Sequence, residues 1–262
     1  MTTDYPDDLG TTYRPDRPPG RVVSLVPSLT EALAATEPGL LVGATDYCTH
    51  PPGLEVSRVG GSKWPDLDRV RALRPDLVLA NAEENRLTDV EALRSTGVPV
   101  WVTGPTTVPG GLDSLERMLA GCGCDVPEWL DRARRAWSPT AAPVRRDAAA
   151  RLAAVPIWRR PWMVVGAGTF AGDMLHRLGV SNAFRAAPSR YPKVTLAQIR
   201  QSGADLVVLP DEPYAFSPTD GPECFGGLDV ALVSGRHLTW YGPSLVDAPD
   251  LLAGQLAAAR RY

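Results

Sequence analysis

The 262-residue sequence predicts an α/β protein made of two Rossmann-like lobes, each built on a parallel sheet. Three observations carry this. One passage occurs twice, as Leu67–Leu79 (LDRVRALRPDLVL) and as Leu196–Leu209 (LAQIRQSGADLVVL), and each copy reads as a short amphipathic helix, a turn with an Asp and an apolar strand. Strands alternate with helices of about ten residues, which requires parallel pairing through right-handed crossovers. With 44% apolar and 22% charged residues, a chain of this length fills two cores more naturally than one.

The elements follow in order. Arg21–Val26 is a strand, and Pro27-Ser28 opens a helix to Ala35, with Ser28 as N-cap and Glu31 as its capping-box partner. Leu40–Ala44 is a second strand that ends at Thr45-Asp46-Tyr47. Asp76–Ala80 is a third, followed by the polar run Asn81–Arg86 and a helix to about Ser95, and Val98–Thr103 is a fourth, closing on Gly104-Pro105. These define an N-terminal lobe over residues 21–111. Residues 112–154 have helical character and no strand, and their Ala- and Arg-rich later part favours helix. Pro139 and Pro143 break it, so a helical connector in pieces is expected. The C-terminal lobe covers residues 155–262. It starts with the strand Val155–Trp158, the loop Arg159–Trp162 and the apolar Met163–Val165. A helix over Phe170–Leu178 follows, then the strand Leu206–Leu209 leading to Pro210–Tyr214. Arg236–Thr239 leads into Trp240–Pro243, and a final Ala- and Leu-rich helix closes the chain.

A net charge of −3 offers no basic excess to neutralise phosphates, which argues against nucleic acid as a partner. Residues 1–20 are polar, carry Pro6, Pro15, Pro18 and Pro19, and read as a disordered leader without an apolar core for export or a membrane span. The first cysteine is Cys48, too late for a lipid anchor, so these residues alone place the protein in the cytoplasm. Cys48, Cys122, Cys124 and Cys224, with His50, His176 and His237, complete the soft ligands. The single residue between Cys122 and Cys124 is not zinc-knuckle spacing, so free thiols and no built-in metal or cofactor are expected.

In open parallel sheets the ligand lies outside the carboxyl ends of the strands. The positions just after strands are Tyr47 and His50, Trp64, Asn81 with Glu83, Glu84 and Arg86, then Arg159 and Trp162, Tyr191, Tyr214, and Trp240 with Tyr241. Aromatic residues make up only 7% of the chain yet recur at these loops, which is the functional signal. Trp101, Trp129 and Trp137 fall inside predicted elements and read as structural, whereas Trp158 at a strand end reads either way and His176 sits on a helix surface. Trp64, Trp162 and Trp240 stand beside Pro or Gly in loops, where periodicity gives a large ring no reason to be. Glu83-Glu84 invite an acid–base role, but adjacent side chains diverge and capping of the next helix is an equal reading. Gly166, Gly168 and Gly172 form only a loose dinucleotide-like pattern, equally read as a tight strand-to-helix turn. No nucleophile elbow or phosphate loop is present.

Arg21–Glu31, the Tyr47–Pro52 loop, Gly61-Ser62-Lys63-Trp64 with the Leu67–Leu79 passage, and Tyr191-Pro192-Lys193-Val194 together resemble the helical-backbone metal receptor superfamily, the substrate-binding proteins of cobalamin and iron-siderophore ABC importers. The resemblance implies two α/β lobes joined by a helical backbone, with a ligand cleft between them and no catalytic residue. It implies ring contacts to a corrinoid from Tyr47, Trp64, Trp162 and Tyr191, with Trp240 close to another. Docking on a permease in this family uses an acidic residue on each lobe; Asp68 matches the first and Ala197 falls on the second. Lys63, Arg86, Arg159 and Arg160 would suit an anionic ligand such as a ferric siderophore or a haem propionate. The ligand set expected is Tyr47, His50, Trp64, Glu84, Arg86, Arg159, Trp162, Tyr191, Tyr214 and Trp240. The function expected is non-enzymatic binding of a metal-containing ligand, a corrinoid first and an anionic chelate second, as a carrier, store or sensor. The rival class is an enzyme on the same scaffold using Glu83, Glu84 or His50.

Overall fold

The computed structural model describes residues 4–138 and 151–262. The strands are β1 (Tyr5–Pro6), β2 (Thr12–Tyr13), β3 (Val22–Ser24), β4 (Leu41–Ala44), β5 (Ser57–Arg58), β6 (Leu77–Asn81), β7 (Val100–Thr103), β8 (Arg151–Ala154), β9 (Pro156–Trp158), β10 (Met163–Val164), β11 (Val180–Asn182), β12 (Leu206–Pro210), β13 (Asp229–Val233) and β14 (Arg260–Arg261). The α-helices are α1 (Pro27–Ala34), α2 (Leu67–Ala72), α3 (Leu87–Arg94), α4 (Val108–Gly121), α5 (Glu128–Ala136), α6 (Phe170–Arg177), α7 (Leu196–Arg200), α8 (Gly235–Thr239) and α9 (Ala248–Ala257).

Two compact units result. The first takes Met1–Pro105, Gly110–Ala133 and Tyr241–Pro243, and its parallel sheet runs β5-β4-β3-β6-β7. The second takes Thr106–Pro109, Arg134–Trp240 and Ser244–Tyr262, and its sheet runs β11-β8-β12-β13-β14, parallel except for β14. β6 (LVLAN) and β12 (LVVLP) are buried along their whole length, as strands covered on both faces must be.

Both copies of the repeated passage form helix, turn and strand, α2–β6 and α7–β12. Asp66 caps α2 by accepting from Arg69 N, and Thr195 with Gln198 makes a full capping box on α7. The turn needs a left-handed residue, supplied by Gly203 (φ 78°) in one copy and by Arg74 (φ 47°) in the other. The Asp of each turn anchors the start of a neighbouring strand. Asp76 accepts from Gly20 N ahead of β3, and Asp205 pairs with Arg151 of β8.

Several sequence expectations give way to local chemistry. Pro27 occupies the first turn of α1, where its missing N–H costs nothing, so Ser28 lies inside the helix and makes no cap. The connector ends in a strand, because Arg151–Ala154 is β8, held in register beside β11 and β12. The strands β11 and β13 also belong to the second sheet and were not anticipated. Pro139, Pro143 and the Ala- and Arg-rich run after them lie outside the described residues.

The leader is the largest correction, since residues 4–20 are folded. β1 and β2 form an antiparallel hairpin, and the buried Asp7 carboxylate accepts from the amides of Leu9, Thr11 and Val102 and from Arg94. Asp8 donates its amide to Val102 O of β7, and its carboxylate accepts from Gly104 N, Ser114 Oγ and Arg117. A Cβ on Gly121 would meet Trp101 at 3.3 Å and both Tyr13 and Tyr5 at 3.6 Å, so that glycine admits the hairpin's rings. A recess of about 790 Å³ lies under this segment, at the amino ends of β6 and β7 and so remote from the loops that follow the strands.

Asp7→Ala strips three amides of their acceptor and leaves Arg94 with Val100 O but no carboxylate, and is expected to destabilise the protein by about 3 kcal/mol, read from urea unfolding. Burial, with the charges of Cys122, Asp76 and Tyr5 added, pushes the Tyr13 phenol from 10.0 up to about 12. A raised phenol favours the protonated folded state, so its contribution is complete below about pH 10 and is lost as the pH rises towards about 12. Unfolding midpoints measured across that alkaline range should fall in the wild type and fall less in Tyr13→Phe.

Candidate functional site

In the first unit, the loops after β4, β5 and β6 carry Tyr47, Trp64 and Arg86. Tyr47 is 66% exposed and Trp64 70% exposed, the two most exposed large rings among the described residues. Burial of apolar area favours hiding rings of this size, so rings held in solvent mark a surface built to meet something.

The Tyr47 loop is organised by one cation. The Arg58 guanidinium donates to the carbonyls of Thr45, Cys48 and Leu54. Beneath it, the buried Cys48 thiol bonds to Thr30 and Thr45; burial pushes that thiol upward against those hydrogen bonds. His50 lies next to Thr49, with 3.2 Å between its Nδ1 and the Thr49 hydroxyl.

The Trp64 loop is tied to the β6 loop by asparagines. Asn81 Oδ1 accepts the amides of Glu83 and Glu84, closing the turn after β6. Asn85 Oδ1 accepts Asn81 N, while its amide group donates to Leu25 O and Ser62 O, joining three loop segments at one buried side chain. Asn81 also donates to the Tyr241 hydroxyl, which lies 2.7 Å from Thr103 Oγ1. Tyr241 is buried in the first unit, and that burial pushes its phenol far above the usual range despite the bonds from Thr103 and Asn81. Glu83 and Glu84 do not cap α3, whose N-cap is Arg86 with no side-chain bond. Instead, Arg86 grips Asp89 through two bonds of 2.8 and 2.6 Å and lays its guanidinium 3.8 Å from the centroid of the Trp64 ring.

The second unit has its own aromatic group. Trp158, 42% exposed, stands edge-on to Tyr214 at 5.7 Å, and Tyr214 lies 4.6 Å from Phe216. Trp162 is half-buried, stacked on Phe216 at 6.1 Å and edge-on to Phe225 at 5.5 Å, so it serves as one wall of this unit's core. Arg159 is bonded by Asp220 and by Glu223 at 2.7 Å, and Tyr214 donates to the same Asp220 at 2.7 Å. Burial raises the Glu223 carboxyl, but the bonds from Arg159 and the Gly221 amide outweigh it and hold the group below its ordinary value. The glycine pattern finds its use here. A Cβ on Gly166 would stand 2.3 Å from Ser189 O, so only glycine lets the 189–192 loop, and Tyr191 with it, lie across the end of β10. Asn182 secures that end by donating to Val165 O and Gly166 O.

The structure therefore leaves Tyr47, Trp64 and Trp158 exposed, and Tyr191, Tyr214, His50 and Glu84 half-buried. Trp240 differs from expectation, since it is only 8% exposed. Trp101, Trp129 and Trp137 are structural: Trp101 is fully buried, and the indole N–H groups of the other two donate to Thr36 and to Leu245 O. Asn81, Asn85, Arg58 and Asn182 escaped the sequence reading as organisers, although an Asn at a strand end and another four residues on was the available signal. Among the described residues no group of three or more His, Cys, Asp or Glu forms a metal cluster, and no helix is long and apolar enough to cross a membrane.

Residues 22–212 match the family model described as periplasmic binding protein. A vitamin B12-binding protein of Pectobacterium carotovorum is 25% identical over 250 residues, covering 92% of this chain and 89% of its own; one from Photorhabdus laumondii is 26% identical over 73% of this chain and 70% of its own. Among solved structures, the periplasmic haem-binding protein RhuT of Roseiflexus sp. RS-1 superposes with a TM-score of 0.74 at 17% identity, over 90% of this chain and 98% of its own. The periplasmic vitamin B12-binding protein BtuF of Vibrio cholerae gives 0.68 at 19%, over 92% and 97%. Both share the fold. The cytoplasmic expectation is overturned, because the matching family and these neighbours are periplasmic. It rested on residues 1–20 lacking an apolar core, but residues 4–20 are part of the folded first unit and their polarity reports on folding, not on compartment.

Asn85→Ala strands two buried carbonyls and one amide. It is expected to cost about 2 kcal/mol in urea unfolding and to raise the mobility of Trp64, read as lower steady-state fluorescence anisotropy.

Proposed function

This chain belongs to the periplasmic binding protein family, and we propose that it binds a flat, metal-containing ligand of the corrinoid class on aromatic rings carried by the loops after its strands. One observation carries the reading: Trp64, in solvent over most of its surface, has one face occupied by the Arg86 guanidinium, which fixes the ring while leaving the other face open. A ring held in place loses little conformational entropy on stacking against a planar macrocycle. Tyr47 supplies a second exposed ring in the same unit, and Trp158, Tyr191 and Tyr214 are the second unit's candidates. The vitamin B12-binding relatives support a corrinoid over other flat ligands.

The ligand on this reading is cargo, not a resident cofactor, and no residue is given a catalytic role. The Glu83-Glu84 pair sits in a turn that the Asn81 side chain closes by accepting both of their backbone amides, which gives the pair an organising place. Asp68 projects from the first turn of α2 with its side chain 95% exposed and one oxygen paired with Arg71 at 2.8 Å, and it is the first-lobe candidate for docking on a transport permease. Its counterpart on α7, Ala197, carries no charge, so docking in this chain does not use a matched acidic pair.

Tryptophan fluorescence titrated with cyanocobalamin tests the reading, with haemin and a ferric siderophore run alongside. Saturable quenching by cyanocobalamin at micromolar or lower concentration is expected, and Trp64→Ala and Tyr47→Ala should each weaken it by about 1–3 kcal/mol without loss of fold. Undiminished affinity in both variants, or no quenching by cyanocobalamin, overturns it.

A further inference from the structure

We propose that Asp89 in the first unit and the Asp220–Glu223 pair in the second are specificity determinants that turn the chain against anionic metal chelates by neutralising the arginine beside each exposed ring. This rests on the reading that those rings hold a metal-containing ligand. The sequence offers Lys63, Arg86, Arg159 and Arg160 as handles for a propionate or a ferric siderophore, and the structure has already filled the two that stand against aromatic rings, Arg86 and Arg159. Arg86 gives Nε and Nη2 to the two oxygens of Asp89, at 2.8 and 2.6 Å, while stacking on Trp64. Asp89 is buried, so solvent screens that pair little. Arg159, following Trp158, gives one terminal nitrogen to Asp220 and the other to Glu223.

The charge count then decides between ligand classes. Arg86 with Asp89 sums to zero, and Arg159 with Asp220 and Glu223 sums to −1. An approaching carboxylate or catecholate meets no uncompensated guanidinium at Arg86 or Arg159, and must displace a carboxylate to reach the planar donors of either. A ligand that presents a flat face and uncharged edges pays no such penalty. The arrangement also explains why arginines stand there at all. Each is a clamp for an aromatic group, Arg86 over Trp64 and Arg159 within 5.7 Å of Trp162, and its charge is cancelled locally so that the clamp does not attract anions.

The test compares the wild type with Asp220→Asn/Glu223→Gln and, separately, with Asp89→Asn, all three checked for folding by thermal denaturation. Asn and Gln keep the shape and an acceptor oxygen while removing the charge. The probes are a ferric tris-catecholate, haemin and cyanocobalamin, titrated directly. Each charge removed is expected to tighten the ferric tris-catecholate by about tenfold, a gain that shrinks as ionic strength rises and that cyanocobalamin does not share. The proposal falls if neither variant gains affinity for either anionic probe, or if the gain is insensitive to salt. It also falls if the wild type already binds the tris-catecholate as tightly as the variants do. Failure of cyanocobalamin to bind any of the proteins would instead sink the corrinoid reading, and the anionic titrations remain interpretable by themselves. Should Asp89→Asn not fold, the more exposed second-unit pair decides the matter.

Discussion

Satisfying the backbone at the carboxyl end of a buried strand is the constraint on which the first unit's functional surface depends. β3 and β6 lie in the middle of the sheet, and where they end their last carbonyls and the first amides of the loops must find partners without water. Asn81 and Asn85 meet that demand together, one closing the turn after β6 and the other reaching to Leu25 O and Ser62 O. Because one amide group serves the β3 end and the Trp64 loop at once, the position of the exposed indole is set by the same bonds that keep the sheet end dry. The second unit solves the problem with Asn182, bonded to Val165 O and Gly166 O beneath the Tyr191 loop. Two unrelated stretches of sequence thus use the same side chain for the same purpose.

Around those organised loops, charge is used for geometry. Arginine has a planar group that stacks on rings and donates in several directions, and here several are used at once: Arg58 holds three carbonyls, Arg86 an Asp and an indole, Arg159 two carboxylates. A lysine at any of these positions would supply the charge without the shape. The rings that remain in solvent, Tyr47, Trp64 and Trp158, suit recognition by contact area.

Much of this was legible in the sequence. The repeated passage announced two α/β units, because the apolar runs of β6 and β12 and the amphipathic helices before them are local signals that tertiary context does not override. The exposed rings of Tyr47 and Trp64 were legible too, since a strand-end argument needs only the strand. β8 was hidden because Arg151 begins it and its pairing with β11 and β12 is long-range. β11, three residues with Ser and Asn, has too little pattern to read, whereas β13 (DVALV) is as long as β6 and β12 and its apolar run was an available signal. The folded leader was hidden for a different reason. Its composition is that of a disordered segment, and what orders it is a handful of specific bonds to Asp7 and Asp8, which composition averages away. Trp240 shows the converse, a ring beside Gly and Pro that the fold buries.

The hairpin of residues 5–13 has a consequence for how copies of this chain meet. β7 is the outer strand of the first sheet, and an outer strand is a ready template for a strand from another molecule. Asp8 has already taken Val102 O, and Asp7 has taken Val102 N, so the middle of that strand has no main-chain group left to offer. The opposite border is β5, only two residues long. The first sheet is thereby a poor template on either side, and its β7 border is covered by a segment whose composition reads as a disordered leader.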